Sequence, residues 1–572
     1  MDIWALTVIY LFSLFALLLY SIFLTWFFPS ISELPATFRI QLKRLSFPLV
    51  LFLSAAYISF LFSTNRFDSR NEIFNLLNYL FLFYLATTVT EKKNRQNLIH
   101  LVFLVSILLS ITGIYQFIKG SVVAGTMVNT NILSGYLAMA VPATTGLILS
   151  FSSSINREFV KSHLFYLVGW LLMVACLFLT KSPGAIIGVV LGICVIVYFK
   201  QGKQVFIKFR YIFVVTAVAV VVLLLLKLRQ LEVFDRLVWW WGTLKMVYQR
   251  PLIGVGLGGF PTAYARYKLT GLNPLYPYNY FLQLAAEMGV VGFGAFLWFL
   301  FIAWKQIKFL FKDFKFFSFE VGVLGSIVAI LSNNLIDYNL CIPANAILFW
   351  VLLGLLITSK NSLESSREGG GDLRFHRRTP GFLESSRKGG EGNSIVPRQR
   401  LGKTNKLVLA GAIAFSIVGM AVGITRLSVA NRHYQLGKRI FYIGNLENLV
   451  KVEKDDLEKA EFEYGRAINL DPLNSWCHHG LAGVYLARYW REGYLSYLDE
   501  AIIELGEAAQ RMPYYGLFYA NLSHLYKIKK DYKKAILYME SAIACDRQNS
   551  VYRQGIRELT ERMHTAIDAE NN

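Results

Sequence analysis

Gln283-Leu-Ala-Ala-Glu287-Met-Gly289-Val-Val-Gly292-Phe-Gly294-Ala-Phe296-Leu-Trp298-Phe-Leu-Phe-Ile-Ala-Trp304 decides the fold class, because Glu287 is its one charged residue. A helix rises about 1.5 Å per residue, so roughly 20 apolar residues cross the ~30 Å hydrocarbon layer with every backbone amide paired internally. Eleven further runs of this kind lie near 3–28, 47–63, 73–90, 98–118, 132–151, 163–180, 185–199, 210–228, 318–337, 342–359 and 407–428. The run at 185–199 is short, and a partial span is the alternative there. The first run is too long for a signal peptide and has no small-residue cleavage site, so it is read as a helix. The sequence therefore predicts an all-α, polytopic membrane protein of about twelve transmembrane helices.

Composition agrees. Of 572 residues, 55% are hydrophobic, 15% aromatic and 17% charged, against roughly 25% charged in a soluble domain. That excludes a simple cytosolic enzyme and a disordered tail protein. The cysteines Cys176, Cys194, Cys341, Cys477 and Cys545 form no C-x-x-C pair and no metal-ligand spacing. A disulfide scaffold is excluded, and neither a metal site nor a cofactor is expected. The net charge of +21 raises nucleic acid as a partner, but its distribution points elsewhere. Six alternate loops (29–46, 91–96, 152–162, 200–210, 305–316 and 360–406) hold 27 Lys and Arg. The short loops between them hold only Arg66, Arg70, Lys119 and Lys181. Basic short loops stay in the cytoplasm. The predicted orientation puts the N-terminus, the long loop 229–282 and everything after about 429 outside. The charge reports orientation, and no nucleic acid is needed to explain it.

The chain divides into a membrane domain (1–359), a low-complexity cytoplasmic stretch (360–406), a last span (407–428) and a soluble domain (429–572). In the second, Leu363-Glu-Ser-Ser-Arg367 recurs as Leu383-Glu-Ser-Ser-Arg387, which reads as a disordered linker. In the last, apolar residues recur at helical spacing in units of about 34 residues. The clearest unit, Gly516 to Asn549, carries Tyr519, Leu522, Tyr526, Ala535, Tyr538 and Ala542. Over about 455–550 this resembles the tetratricopeptide repeat, an α-solenoid whose concave surface takes a peptide or protein partner.

Chemistry is best sought in the long loop. It contains Val233-Phe-Asp235-Arg236-Leu-Val-Trp239-Trp240-Trp241, then Arg250-Pro251-Leu-Ile-Gly254-Val-Gly256-Leu-Gly258-Gly259-Phe260, then Tyr276-Pro-Tyr278-Asn279-Tyr280 leading into the quoted span. The glycines match G-x-G-x-x-G by letter, but no βαβ unit surrounds them, so a tight turn between helices is the plainer reading. The tryptophans fit an interfacial anchor, with sugar stacking as the alternative. Arg236, Arg250, Arg266 and Lys268 could meet lipid headgroups or together cradle a diphosphate.

The order of these motifs resembles the O-antigen ligase and O-antigen polymerase superfamily. The Arg-Trp segment, the Pro-x-x-Gly-x-Gly-x-x-x-Phe turn and the Asn-x-x-Leu-Gln-x-x-x-Glu-x-Gly-x-x-Gly stretch carry the likeness. Gly125-Thr-Met-Val-Asn129-Thr-Asn131 and Leu335-Ile336-Asp337-Tyr338 extend it over roughly 70–360. The resemblance implies a metal-independent glycosyltransferase at the outer face of a bacterial inner membrane. Its donor would be a glycan on a polyprenyl diphosphate, and its acceptor a hydroxyl of a lipid, glycan or protein. It assigns catalytic roles to Arg236, Tyr278, Asn279 and Glu287, and substrate binding to Arg250, Arg266, Lys268, Gly254 and Gly256. Two positions depart from the pattern. Tyr278 stands where members usually carry His, and Ser182-Pro183-Gly184 replaces Ser-Arg-Gly. Glu287, Asp235 or His478-His479 then become the alternative bases. Two other functions compete with the enzyme. One is a non-catalytic scaffold presenting the repeats to envelope partners. The other is a lipid transporter, which the scarcity of charge within the spans argues against.

Overall fold

The computed structural model describes residues 36–88, 91–150, 157–200, 231–308, 318–371, 426–427, 429–441 and 453–571. Among the described residues the regular structure is helical, with no strand. The runs expected at 3–28 and 210–228, and all but the end of 407–428, lie outside them.

The other nine runs each fall on a helix. In chain order these are α1 (Ala36–Leu61), α2 (Arg66–Thr88), α3 (Lys92–Ile118), α4 (Thr130–Ile148), α5 (Arg157–Leu179), α6 (Pro183–Lys200), then, after α7 (Leu231–Gln249), α8 (Tyr280–Lys308), α9 (Ser318–Asn333) and α10 (Pro343–Gly371). Four are long and apolar enough to cross a membrane: Lys93–Ile118, Thr130–Ile148, Pro183–Lys200 and Tyr280–Ile307. The short run at 185–199, for which a partial span is the alternative, is among these four. Leu45–Leu61, His163–Leu179, Phe319–Asn333 and Pro343–Ile357 are shorter apolar helices. Full-length spans are thus fewer among the described residues than the apolar runs suggested. Charges account for one shortfall: Arg66, Asp68, Arg70 and Glu72 occupy the first two turns of α2. α10 continues as helix through Gly371, into the stretch expected to be a structureless linker.

The membrane domain packs α1 on α8, α2 on α10, α3 on α5, and α4 on α9. An aromatic knot of Phe83, Phe296, Phe299 and Trp350 joins α2, α8 and α10. Small residues let α6 and α9 come together, since a Cβ on Gly192 would lie 2.5 Å from the Gly325 carbonyl oxygen. Ser326 of α9 donates to the Met139 carbonyl of α4 at 2.6 Å, which satisfies a hydroxyl that would be costly unpaired in hydrocarbon.

Among the described residues the C-terminal part holds a helix over 429–440, then α11 (Lys454–Leu470), α12 (Ser475–Glu492), α13 (Leu495–Arg511), α14 (Gly516–Ile528), α15 (Tyr532–Cys545) and α16 (Ser550–Asn571). From α11 to α16 each packs on the next. Ala460, Ala467, Ala501, Ala508, Ala535 and Ala542 are fully buried, and they let neighbouring helices sit close around larger side chains such as Tyr464 and Phe518. Asn474 and Asp531 cap α12 and α15.

Three turns between these helices face the membrane domain. Asp471 forms a bidentate pair with Arg70 at 2.6 and 2.8 Å. Tyr514 accepts from Arg250 Nη2 at 2.8 Å and lies beside Arg266. Asp546 pairs with Lys268 at 2.7 Å.

Candidate functional site

Stretches from four regions of the sequence meet at the head of α8. Asn279 caps that helix, its Oδ1 accepting from the Leu282 amide at 3.0 Å. The Tyr280 amide donates to the carbonyls of Asn334 and Asp337, both at 3.0 Å, which ties the head of α8 to the α9–α10 connection. Tyr278, just before the cap, has φ +55°. That left-handed conformation costs a non-glycine residue of order 1 kcal/mol, so the contacts around it must hold it there.

Those contacts are aromatic and cationic. The Tyr278 ring stacks on Trp239 at 5.4 Å and meets Tyr338 edge-on at 5.0 Å. Arg236, on α7, also sits over this ring with the guanidinium 4.7 Å from its centroid. Arg236 also donates to the Ile336 carbonyl at 3.0 Å, and Trp240 donates to the Pro277 carbonyl at 2.8 Å. Tyr276 and Tyr338 stack almost parallel, 4.2 Å apart. Asn129, the cap of α4, donates to the Tyr338 hydroxyl at 3.0 Å. Burial raises Asp337 to about 6, an effect that the Tyr338 amide and then Arg236 partly offset. Burial also raises the Tyr338 hydroxyl to about 12. A tyrosine held in its neutral form is a hydrogen-bond donor, not a base.

The glycine turn does different work. α8 breaks at Gly289, where φ is 66° and ψ −176°. The 250–260 turn supplies hydrogen bonds at this break. Val255 N–H donates to the Ala286 carbonyl and Gly256 N–H to the Glu287 carbonyl, both at 3.0 Å, while Val290 N–H donates to the Pro251 carbonyl at 2.7 Å. The approach is close on both glycines: a Cβ on Gly254 would be 2.3 Å from the Glu287 backbone carbonyl, and one on Gly256 2.0 Å from the Ser63 side-chain hydroxyl. Both glycines also have positive φ, at +68° and +105°. The Pro-x-x-Gly-x-Gly turn and the Glu-x-Gly sequence are therefore two sides of one packing contact.

That contact aims Glu287. Its Oε1 accepts from the Phe260 amide at 3.2 Å and from Gln283 Nε2 at 3.1 Å. The side chain lines a cavity of about 340 Å³, together with Asp68, Glu72, Tyr79, Tyr276 and Tyr280. Tyr276 thus belongs both to the cavity and to the stack that leads to Arg236.

Arg236, Tyr278, Asn279 and Glu287 are gathered around the head of α8. Arg250, Arg266 and Lys268 are not brought into that group: they turn to Tyr514 and Asp546 of the C-terminal domain. Gly254 and Gly256 act through packing. His478 is buried against Glu504 at 2.6 Å and His479 contacts Asn521 at 3.0 Å, so both side chains are engaged inside the C-terminal domain. Among the described residues no group of His, Cys, Asp and Glu is arranged to hold a metal ion. Asp68, Glu72 and Tyr79 did not stand out in the sequence. The one signal for them was the pair of carboxylates Asp68 and Glu72 in the first two turns of α2, which reads equally well as a solvated helix start.

Residues 168–297 match the O-antigen ligase family model. The matched segment contains α7, the glycine turn and the head of α8, which are most of the site just described. No curated protein matches the chain. The match and the apolar helices support a membrane protein similar to glycan ligases and polymerases.

Proposed function

We propose that this protein is an envelope glycan ligase or polymerase. It transfers a glycan from a polyprenyl diphosphate carrier to an acceptor hydroxyl at the outer face of the bacterial inner membrane. One observation carries the reading: the O-antigen ligase match falls on the segment whose Arg236 lies beside the head of α8, where Glu287 is buried in a cavity. Arg236 holds the carrier diphosphate. Among the described residues one carbonyl accepts from it, which leaves guanidinium donors for phosphate oxygens. Glu287 is the base. The acceptor hydroxyl gives it a proton as the acceptor oxygen bonds the donor's anomeric carbon. The bond from that carbon to the diphosphate breaks, and its electron pair leaves with the diphosphate. Charge grows on the leaving group, so a cation fixed there favours the transition state over the ground state. Tyr278 positions Arg236 through its ring face. The reaction draws on no metal or cofactor.

The C-terminal helices are read as a tetratricopeptide-like solenoid. With the N-terminus they lie outside the cytoplasm, where the concave face would take a protein partner. The engagement of Arg250, Arg266 and Lys268 by these helices favours a second reading, a ligase-like scaffold that presents them to envelope partners. Glycan profiling of strains carrying Arg236→Ala and a 430–572 deletion separates the two. The enzyme predicts loss of transfer in the first with membrane insertion intact, and basal transfer in the second. Wild-type profiles for Arg236→Ala would remove the catalytic role.

A further inference from the structure

The cavity beside Glu287 has a chemical character of its own. Asp68 and Glu72 reach it from α2, Glu287 from α8, and Tyr276 from the stretch that precedes α8. Among the described residues that line it there is no Lys or Arg. Its three carboxylates are each met by neutral donors. Asn65 Nδ2 lies 2.6 Å from Asp68 Oδ2, Asn75 Nδ2 3.5 Å from Glu72 Oε2, and Gln283 Nε2 3.1 Å from Glu287 Oε1. Each carboxylate keeps acceptor capacity beyond these bonds, in residues that line the cavity.

A second and independent observation points the same way. Tyr79 lines the cavity at 7% exposure, and its hydroxyl is buried with no hydrogen-bond partner. A buried hydroxyl left unpaired is costly, so a site that keeps one is suited to receive a group there. The remaining walls are aromatic and apolar: Phe52, Leu76, Phe296 and Trp350. The volume of about 340 Å³ falls at the lower end of the range for small-ligand sites, roughly 300–1,000 Å³.

Carboxylate acceptors, one unused phenol and flat apolar walls suit a ring with many hydroxyls on its edge and C–H groups on its faces. The lining disfavours a phosphate or a uronic acid, because an added anion would be desolvated beside carboxylates in a cavity that no Lys or Arg among the described residues lines. We propose that this cavity is the acceptor subsite, and that it takes a sugar ring that is neutral or carries an amine and rejects acidic sugars. The assignment rests on the glycan-transfer reading for the word acceptor, whereas the sugar preference stands on the cavity alone. It also divides the labour of the site. The anionic donor lies on the Arg236 side of the Tyr276–Tyr338 stack and the acceptor on the carboxylate side.

The test uses full-length protein in nanodiscs and three probes: methyl glucosaminide, methyl glucoside and methyl glucuronide. Binding is read by saturation-transfer NMR and dissociation constants by titration. We expect the glucosaminide and the glucoside to bind and the glucuronide to bind at least tenfold more weakly. Glu72→Gln should narrow that gap about tenfold by admitting the glucuronide, a gain that misfolding cannot produce. Tyr79→Phe should weaken the two accepted probes about fivefold while the ligand-free protein melts no lower than wild type. Equal binding of all three probes, or unchanged selectivity in Glu72→Gln, would overturn the proposal. If sugars bind as expected while Arg236→Ala leaves glycan profiles normal, the cavity stands and the transferase reading fails. If transfer depends on Arg236 and the cavity shows no selectivity, only the subsite is lost.

Discussion

Removing Arg70 should release the C-terminal domain from the membrane domain. Arg70 is 9% exposed and Asp471 4%, and two charge-assisted bonds of 2.6 and 2.8 Å join them. A bidentate pair of this kind couples its partners by about 3 kcal/mol. Truncating one partner costs more, roughly 3–5 kcal/mol, because the other charge stays buried without compensation. Arg70→Ala and Asp471→Ala should each weaken docking by that amount. Arg70→Ala with Asp471→Ala should weaken it by less than the sum of the singles, since neither charge is then stranded. Hydrogen exchange of the full-length protein in nanodiscs reads this at the amides of 471–477 and 66–72. A loss of about 3 kcal/mol in closing free energy raises their exchange roughly a hundredfold where the opening equilibrium governs it. Raising salt should leave the wild type almost unchanged, because a buried pair is screened weakly. Additive single effects, or changes under threefold in all three variants, would refute the claim that this pair holds the domains together.

Other outcomes follow from single positions. Gly254→Ala should cost more than about 3 kcal/mol, seen as lost accumulation in the membrane, because a Cβ meets the Glu287 carbonyl at 2.3 Å on a backbone of φ +68°. Gly271→Ala, where a Cβ meets nothing within 4 Å, should stay within about 0.5 kcal/mol of wild type. Asp337 is raised to about 6 by burial, so its ionisation opposes folding, and that penalty grows as pH rises from near 4 through 6. Asp337→Asn should therefore melt higher than wild type at pH 7.5, with the difference gone near pH 4. His479 is lowered to about 4 by burial, so the unfolded chain binds more protons between pH 6.5 and 4, and stability falls as pH falls through that window by up to about 3 kcal/mol. His479→Phe should flatten this acid limb in thermal melts of the full chain.

The sequence by itself determined what depends on near neighbours. Apolar runs of helical length predicted helices, and the nine runs within the described residues are helical. The motif order drew attention to Arg236, Tyr278 and Glu287. It could not say which cations belong together. Arg250, Arg266 and Lys268 look like companions of Arg236 in the linear loop, yet Arg250 finds its partner 264 residues away and Lys268 finds its own 278 away. Side-chain periodicity is local and carries no information about such pairings. Likewise Gly254 and Gly256 read as a turn, but the reason for them, a backbone laid on the break at Gly289, exists only once α8 and the loop are packed. Asp68, Glu72 and Tyr79 carried no functional signal in the linear sequence. Only the approach of α2 to α8 walls in a cavity around them, and burial is what turns an ordinary carboxylate or phenol into a group that needs a partner.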